Sequence, residues 1–295
     1  MALGGLVRKR RVLRAGLLSW ALTSMLLVAF AIDPYAAAAS PLQFHGALQR
    51  DGDFGVVAHR GAAVLAPENT LAAFRLAIEE GVDFIEADIQ LTADGVPVLM
   101  HDAEVDRTTN GSGALAALTM EQVRALDAGI RFSPDYAGEP VPTLEEFLTL
   151  LGPAPTRAFI ELKGVWVPER IVAVIEMLRA QQLAGRVVLA SFELPVLETV
   201  RQAAPEYATI LLTRELSEQV LGTALTLRVS AVCARETLFA EAPEFLSTIQ
   251  AAGIGAIAYT LNTPEQWDLA VELGIDFFVT DDTAALAAWR DAGAA

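Results

Sequence analysis

Between residues 53 and 291 the chain alternates short continuous apolar runs with longer stretches whose apolar residues recur every three or four positions. A short run bounded by turn residues fits a strand buried on both faces, and the longer period fits a helix with one apolar stripe. Strands are expected near 56–58, 84–89, 158–162, 187–191, 209–212, 228–233, 256–260 and 277–280. Helices are expected near 69–80, 143–151, 168–180, 193–203, 217–221, 243–252, 264–273 and 283–291. Eight such units are what a closed parallel barrel needs, so the expected fold is α/β, a TIM (β/α)8 barrel. Leu76-Ala77-Ile78-Glu79-Glu80-Gly81-Val82-Asp83-Phe84 is echoed by Leu269-Ala270-Val271-Glu272-Leu273-Gly274-Ile275-Asp276-Phe277, each reading as helix, glycine stop and strand.

Two stretches break the alternation. Residues 96–100 follow the second strand after only Thr92-Ala93-Asp94-Gly95, and Asp-Gly is a strong turn signal, so they read as the returning arm of a hairpin. Residues 103–142 are loop-rich around one short helical piece at 119–127. They read as a long insertion after an early strand, of the kind that usually builds a substrate-facing lid. The barrel domain is therefore bounded at 53–291, with the insertion at about 103–142.

Ahead of the barrel, Arg8, Lys9, Arg10, Arg11 and Arg14 precede an uncharged apolar run at 15–32 and small residues at 36–40. That is the layout of a secretory signal peptide, with an N-terminal membrane anchor as the alternative for residues 1–40. Either way the barrel is expected outside the cytoplasm: secreted, periplasmic, or anchored with membrane contact through this segment.

Hydrophobic residues make up 53% of the 295, enough for a large core. A formal charge of −16 argues against nucleic acid as a partner, because phosphate backbones are bound by basic stripes. An anionic small molecule then needs local cations. The single cysteine, Cys233, excludes an intrachain disulfide and, in an apolar stretch, reads as a buried inert thiol. Nothing in the pattern fixes an oligomeric state.

The candidate chemistry sits at strand ends. Glu86 and Asp88 lie two apart in an apolar strand, whose period of two sends both carboxylates to one face. Glu161 and Lys163 repeat that spacing at the end of another strand. Three carboxylates without thiolate or histidine ligands suit a hard divalent cation, Ca2+ or Mg2+, against the alternative of salt bridges to Arg60 and Lys163. Two of the three histidines, His59 and His101, directly follow apolar runs, where a barrel keeps its catalytic groups. With Arg60 to grip a phosphate, the pair suits diester cleavage, one taking a proton from the nucleophile and one giving a proton to the leaving alkoxide. The third histidine, His45, precedes the barrel.

His59-Arg60-Gly61, Pro67-Glu68-Asn69-Thr70, Glu86-Ala87-Asp88, His101-Asp102, Leu126-Asp127-Ala128-Gly129, Pro142-Thr143-Leu144-Glu145-Glu146 and Glu161-Leu162-Lys163 occur in that order. Together they resemble the glycerophosphodiester phosphodiesterase family. The resemblance implies a TIM barrel with a small insertion and metal-dependent hydrolysis of glycerophosphodiesters to glycerol 3-phosphate and an alcohol. It also implies metal ligands at Glu86, Asp88 and Glu161, acid/base histidines at His59 and His101, and phosphate-contacting cations at Arg60 and Lys163. In Tyr259-Thr260-Leu261-Asn262, Tyr259 stands where relatives commonly carry tryptophan. A phospholipase on the same barrel, of lysophospholipase D or phosphoinositide phospholipase C type, is the nearest alternative. For it, Trp166 between Val165 and Val167 reads either as an acyl contact or as core. A non-catalytic binding barrel makes no use of the histidine pair, and a sugar-processing barrel makes none of Arg60 and Lys163.

Overall fold

The structure, a computed structural model, describes residues 48–50 and 52–293. The leader at 1–40 and His45 lie outside the described residues.

Nine strands are described: β1 Gly55–Ala58, β2 Phe84–Leu91, β3 Pro97–Leu99, β4 Arg157–Leu162, β5 Val187–Ser191, β6 Ala208–Leu212, β7 Ala231–Ala234, β8 Gly255–Ala258 and β9 Phe277–Thr280. Eight pair in parallel in the order β1-β9-β8-β7-β6-β5-β4-β2, and β1 also pairs with β2, which closes the ring into a TIM barrel. The ninth, β3, runs antiparallel to β2 with Ile89 opposite Leu99, so Asp94-Gly95 turns a hairpin as expected.

The strand period sorts side chains into two apolar layers. Ile85, Ala87 and Ile89 of β2, with Ala158, Ile160 and Leu162 of β4, face outward into the layer beneath the helices. Phe84 and Phe159 face the barrel interior, where Val188, Ile210, Ile257 and Phe277 join them. Glu86, Asp88 and Glu161 stand on the same face as those two phenylalanines, one and two steps nearer the C-terminal ends. At the opposite end Leu48 plugs the barrel, and Gly255 is required there because a Cβ would come within 1.9 Å of the Leu48 carbonyl oxygen.

The helices are α1 Leu71–Glu79, α2 Met120–Arg124, α3 Leu144–Leu151, α4 Pro168–Ala180, α5 Leu194–Ala203, α6 Glu218–Leu227, α7 Glu236–Glu241, α8 Pro243–Ala251, α9 Pro264–Glu272 and α10 Thr283–Asp291. In α3 a capping box between Thr143 and Glu146 starts the helix, and Leu144, Phe147, Leu148 and Leu151 bury one stripe. The internal echo is structural: α1 and α9 both end two residues before a left-handed glycine, Gly81 and Gly274, that leads into a strand.

Three local expectations fail. The helix expected at 217–221 runs through Gly222 to Leu227, and the strand expected from Arg228 starts only at Ala231. Arg228 takes a left-handed conformation that terminates α6, and the Val229 N–H closes back onto the Ala224 carbonyl, so Arg228 and Val229 belong to a helix cap and not to a strand. The short α7 was not anticipated, since it follows β7 with one intervening residue and leaves no room for a full helical period.

The 103–142 segment holds two single-turn 3-10 pieces and α2 over a small core of its own, built from Val98, Met100, Val105, Leu115, Val123, Ala128 and Val141. Contrary to expectation, it contributes no wall to the cavity at the barrel mouth. Trp166 is core: only 7% exposed, it donates its indole N–H to the Lys163 carbonyl at 2.8 Å, while Val165 and Val167 point outward. Cys233 is buried in the barrel, and burial raises its thiol pKa well above the ordinary value, as expected of an inert side chain.

Candidate active site

A cavity of about 500 Å³ opens at the C-terminal ends of the strands. All seven sequence-derived candidates line it: His59, Arg60, Glu86, Asp88, His101, Glu161 and Lys163.

Parallel pairing of β2 with β4 sets Asp88 directly beside Glu161 and Glu86 beside Phe159. Glu86, Asp88 and Glu161 each bring a carboxylate oxygen within 4.8 Å of the others. Burial, then the charges of Asp88 and Glu161, pushes Glu86 well above the ordinary carboxylate range. Burial, then Asp88, pushes Glu161 up to about 7. Asp88 goes the other way: burial opposes its charge, but Lys163, Arg60 and His101 outweigh that and keep it ionised. Its Oδ1 is buried with no hydrogen-bond partner among the described residues. An orphaned anionic oxygen beside two carboxyls driven toward protonation, with only oxygen donors in reach, fits a hard divalent cation.

Lys163 Nζ donates to Glu161 Oε1 at 3.0 Å and lies 3.5 Å from Asp88 Oδ1. Arg60 takes a left-handed backbone conformation at φ 57°, which turns its N–H onto Glu86 Oε2 at 2.8 Å. Its Nη1 donates to Glu68 at 2.8 Å and its Nε sits 3.5 Å from Asp88. The salt bridges weighed against a metal site are therefore present, yet they leave Asp88 Oδ1 without a hydrogen bond.

The two histidines are mounted alike. His59, just after β1, donates from Nδ1 to Asp281 at 2.6 Å, and the other oxygen of Asp281 accepts from Asn262 at 2.7 Å. His101 donates from Nδ1 to Asp102 at 2.7 Å, and the other oxygen of Asp102 accepts from Arg107 Nε at 2.5 Å. With Nδ1 committed to a carboxylate, Nε2 is the nitrogen left to exchange a proton. Arg107 and His101 hold Asp102 down to about 2. Asp281 is also lowered, its bonds to His59 and Asn262 prevailing over burial. Burial lowers the pKa of His101, with Asp88 and Asp102 pulling the other way. The amide of Gln90, two residues beyond Asp88 on the same face, spans the carbonyls of Met100, His101 and Asp102 at 2.8–3.0 Å and fixes that loop.

Several of these supports had no assigned role in the sequence reading. Glu68, Asn69, Asp102 and Asn262 stood inside quoted stretches, whereas Arg107 and Asp281 carried no signal, because their roles arise from contacts closed only by the fold. The insertion reaches the site indirectly, through Arg107, which ties Asp102 to Glu68.

Acids converging on one point beside paired basic side chains and two carboxylate-backed histidines define a barrel hydrolase of phosphoric diesters. Residues 59–285 match the model of the Glycerophosphoryl diester phosphodiesterase family, and the chain belongs to that family. Among its relatives, a glycerophosphodiester phosphodiesterase of Caldanaerobacter subterraneus subsp. tengcongensis is 36% identical over 233 residues, covering 78% of this chain and 95% of the relative. One from Bacillus subtilis is 30% identical over 286 residues, covering 91% and 94%. A solved phosphodiesterase from Oleispira antarctica, in complex with the product sn-glycerol-3-phosphate, superposes with a TM-score of 0.74 at 27% identity, covering 80% of this chain and 96% of that one.

Proposed function

We propose that this cavity hydrolyses glycerophosphodiesters to glycerol 3-phosphate and an alcohol, with one divalent cation, Ca2+ or Mg2+, held by Glu86, Asp88 and Glu161. The observation that carries this reading is the mounting of His59 and His101, each with Nδ1 on a carboxylate, in the cavity that contains the acidic cluster.

One histidine takes the proton of the attacking hydroxyl at Nε2: attack by water gives glycerol 3-phosphate directly, whereas attack by the glycerol hydroxyl of the substrate gives a cyclic phosphate that water opens in a second step with the histidine roles exchanged. As the new P–O bond forms, the other protonates the departing alkoxide from Nε2. Asp281 and Asp102 stabilise the imidazolium that each step creates or consumes. Arg60 and Lys163, held in place by Glu68, Asp88 and Glu161, offer their remaining donors to the non-bridging oxygens. The bound cation supplies further polarisation of the phosphoryl group. A panel of glycerophosphocholine, glycerophosphoethanolamine, glycerophosphoinositol and lysophosphatidylcholine, assayed with Mg2+ and with Ca2+, tests the reading. Release of glycerol 3-phosphate supports it, and turnover of the lysolipid alone refutes it.

We also assign residues 1–40 to export, on the basic segment and the apolar run that follows it. N-terminal sequencing of the soluble product should start near residues 37–40, and recovery only in membranes with the first residues intact would favour the anchor.

A further inference from the structure

The barrel mouth is chemically divided. The ends of β1 to β4 supply the acids, the histidines, Arg60 and Lys163, whereas the ends of β5 to β8 supply Phe192, Arg214, Arg235 and Tyr259 and no carboxylate to the cavity wall. Both of these arginines are exposed, and among the described residues neither forms an ion pair. Their acidic sequence neighbours turn elsewhere: Glu215 accepts from Ser217, and Glu236 is buried against the amide of Gln266. Two cations without an acidic partner on one wall of a cavity give that wall a positive potential that favours an anionic group.

Arg214 is held in place. Its guanidinium carbon lies 4.0 Å from the centroid of the Phe192 ring, and that ring meets Tyr259 edge-on at 6.4 Å. Tyr259 is fixed in turn by a 3.1 Å bond from its hydroxyl to the Thr213 carbonyl. Burial pushes the Tyr259 phenol up to about 12, and Arg214 and Arg235 line the same cavity as that ring.

The charge balance states what fits. Arg60 and Lys163 on one wall are already paired with Glu68, Asp88 and Glu161, whereas Arg214 and Arg235 on the other wall face no lining carboxylate. We propose that Arg214 and Arg235 form an anion subsite for the alcohol part of the substrate, so that the enzyme prefers glycerophosphodiesters whose alcohol carries an anionic group. This specificity rests on the phosphodiesterase reading above. A guanidinium facing a carboxylate or phosphate makes charge-assisted, often paired hydrogen bonds that a neutral or cationic headgroup cannot match.

Glycerophosphoserine and glycerophosphoethanolamine differ by a single carboxylate and therefore isolate the effect. The wild-type protein should show about ten-fold higher kcat/KM on glycerophosphoserine, expressed mainly in KM. Arg214→Gln and Arg235→Gln should each bring the ratio of the two substrates toward one, and Arg214→Lys should restore part of it. A wild-type ratio at or below one, or an equal loss on both substrates in the Gln variants, overturns the proposal. Calorimetric titration of the same two diesters separates the failure modes. If neither is cleaved but glycerophosphoserine binds more tightly and the Gln variants abolish the difference, the subsite stands and the activity falls. Equal affinities sink the subsite.

Discussion

Asp281 receives the Nδ1 hydrogen of His59 at 2.6 Å across 222 residues of sequence. The last barrel strand thereby sets the orientation of a histidine delivered by the first, a contact that exists only because β1 and β9 pair. Asp281→Asn should lower kcat by about 100-fold with the fold intact, because an amide in place of the carboxylate no longer holds the tautomer or stabilises the imidazolium. His59→Ala and His101→Ala should each lose at least as much. Steady-state kinetics beside circular dichroism checks all three, and near-normal turnover in any of them removes that residue from the mechanism.

How far the site was readable from sequence follows from this example. Glu86, Asp88, Glu161 and Lys163 were legible because a strand's period of two is written into neighbouring residues, and the Asp-Gly turn pointed to the hairpin that returns His101. Asp281 and Arg107 were not, since nothing local distinguishes a carboxylate that will meet a histidine from one that caps a loop. The extent of α6 was hidden for another reason: Gly222 looked like a stop, but Ser217 caps the start and tertiary packing carries the helix past it.

Asn69 bonds both ways to Asp88, donating from Nδ2 to Oδ2 at 2.8 Å and accepting the backbone N–H at 3.1 Å. It is buried and left-handed at φ 55°, a conformation asparagine tolerates better than most residues. Asn69→Ala leaves the buried Asp88 N–H unpaired and its Oδ2 with only the 3.5 Å ion pair to Arg60, and should cost about 2–4 kcal/mol in urea unfolding. A loss below about 1 kcal/mol would mean that water replaces the amide.

The Tyr207 hydroxyl is buried with no hydrogen-bond partner among the described residues. Tyr207→Phe should therefore be neutral or stabilising near pH 7. Burial pushes the Tyr207 phenol up to about 12, while the unfolded chain ionises near pH 10. A raised acid pKa leaves stability intact below pH 10 and erodes it as pH rises toward 12, because only the unfolded state ionises freely there. Over that range Tyr207→Phe should lose less stability than the wild type in unfolding measured at successive pH values. Parallel curves would indicate that the hydroxyl is solvated.

The central claim is that Glu86, Asp88 and Glu161 hold a divalent cation that turnover requires. Glu161→Gln should weaken cation affinity, and extra Mg2+ or Ca2+ should restore part of the lost activity. The barrel should survive chelation with reduced stability, by about 2.7 kcal/mol where free cation had stood at about 100 times its dissociation constant. The most direct measurement is glycerophosphodiester turnover by protein shown to be metal-free by elemental analysis, before and after Mg2+ or Ca2+ is added back. The account predicts no turnover without the cation and recovery with it; full turnover by the metal-free protein would contradict it.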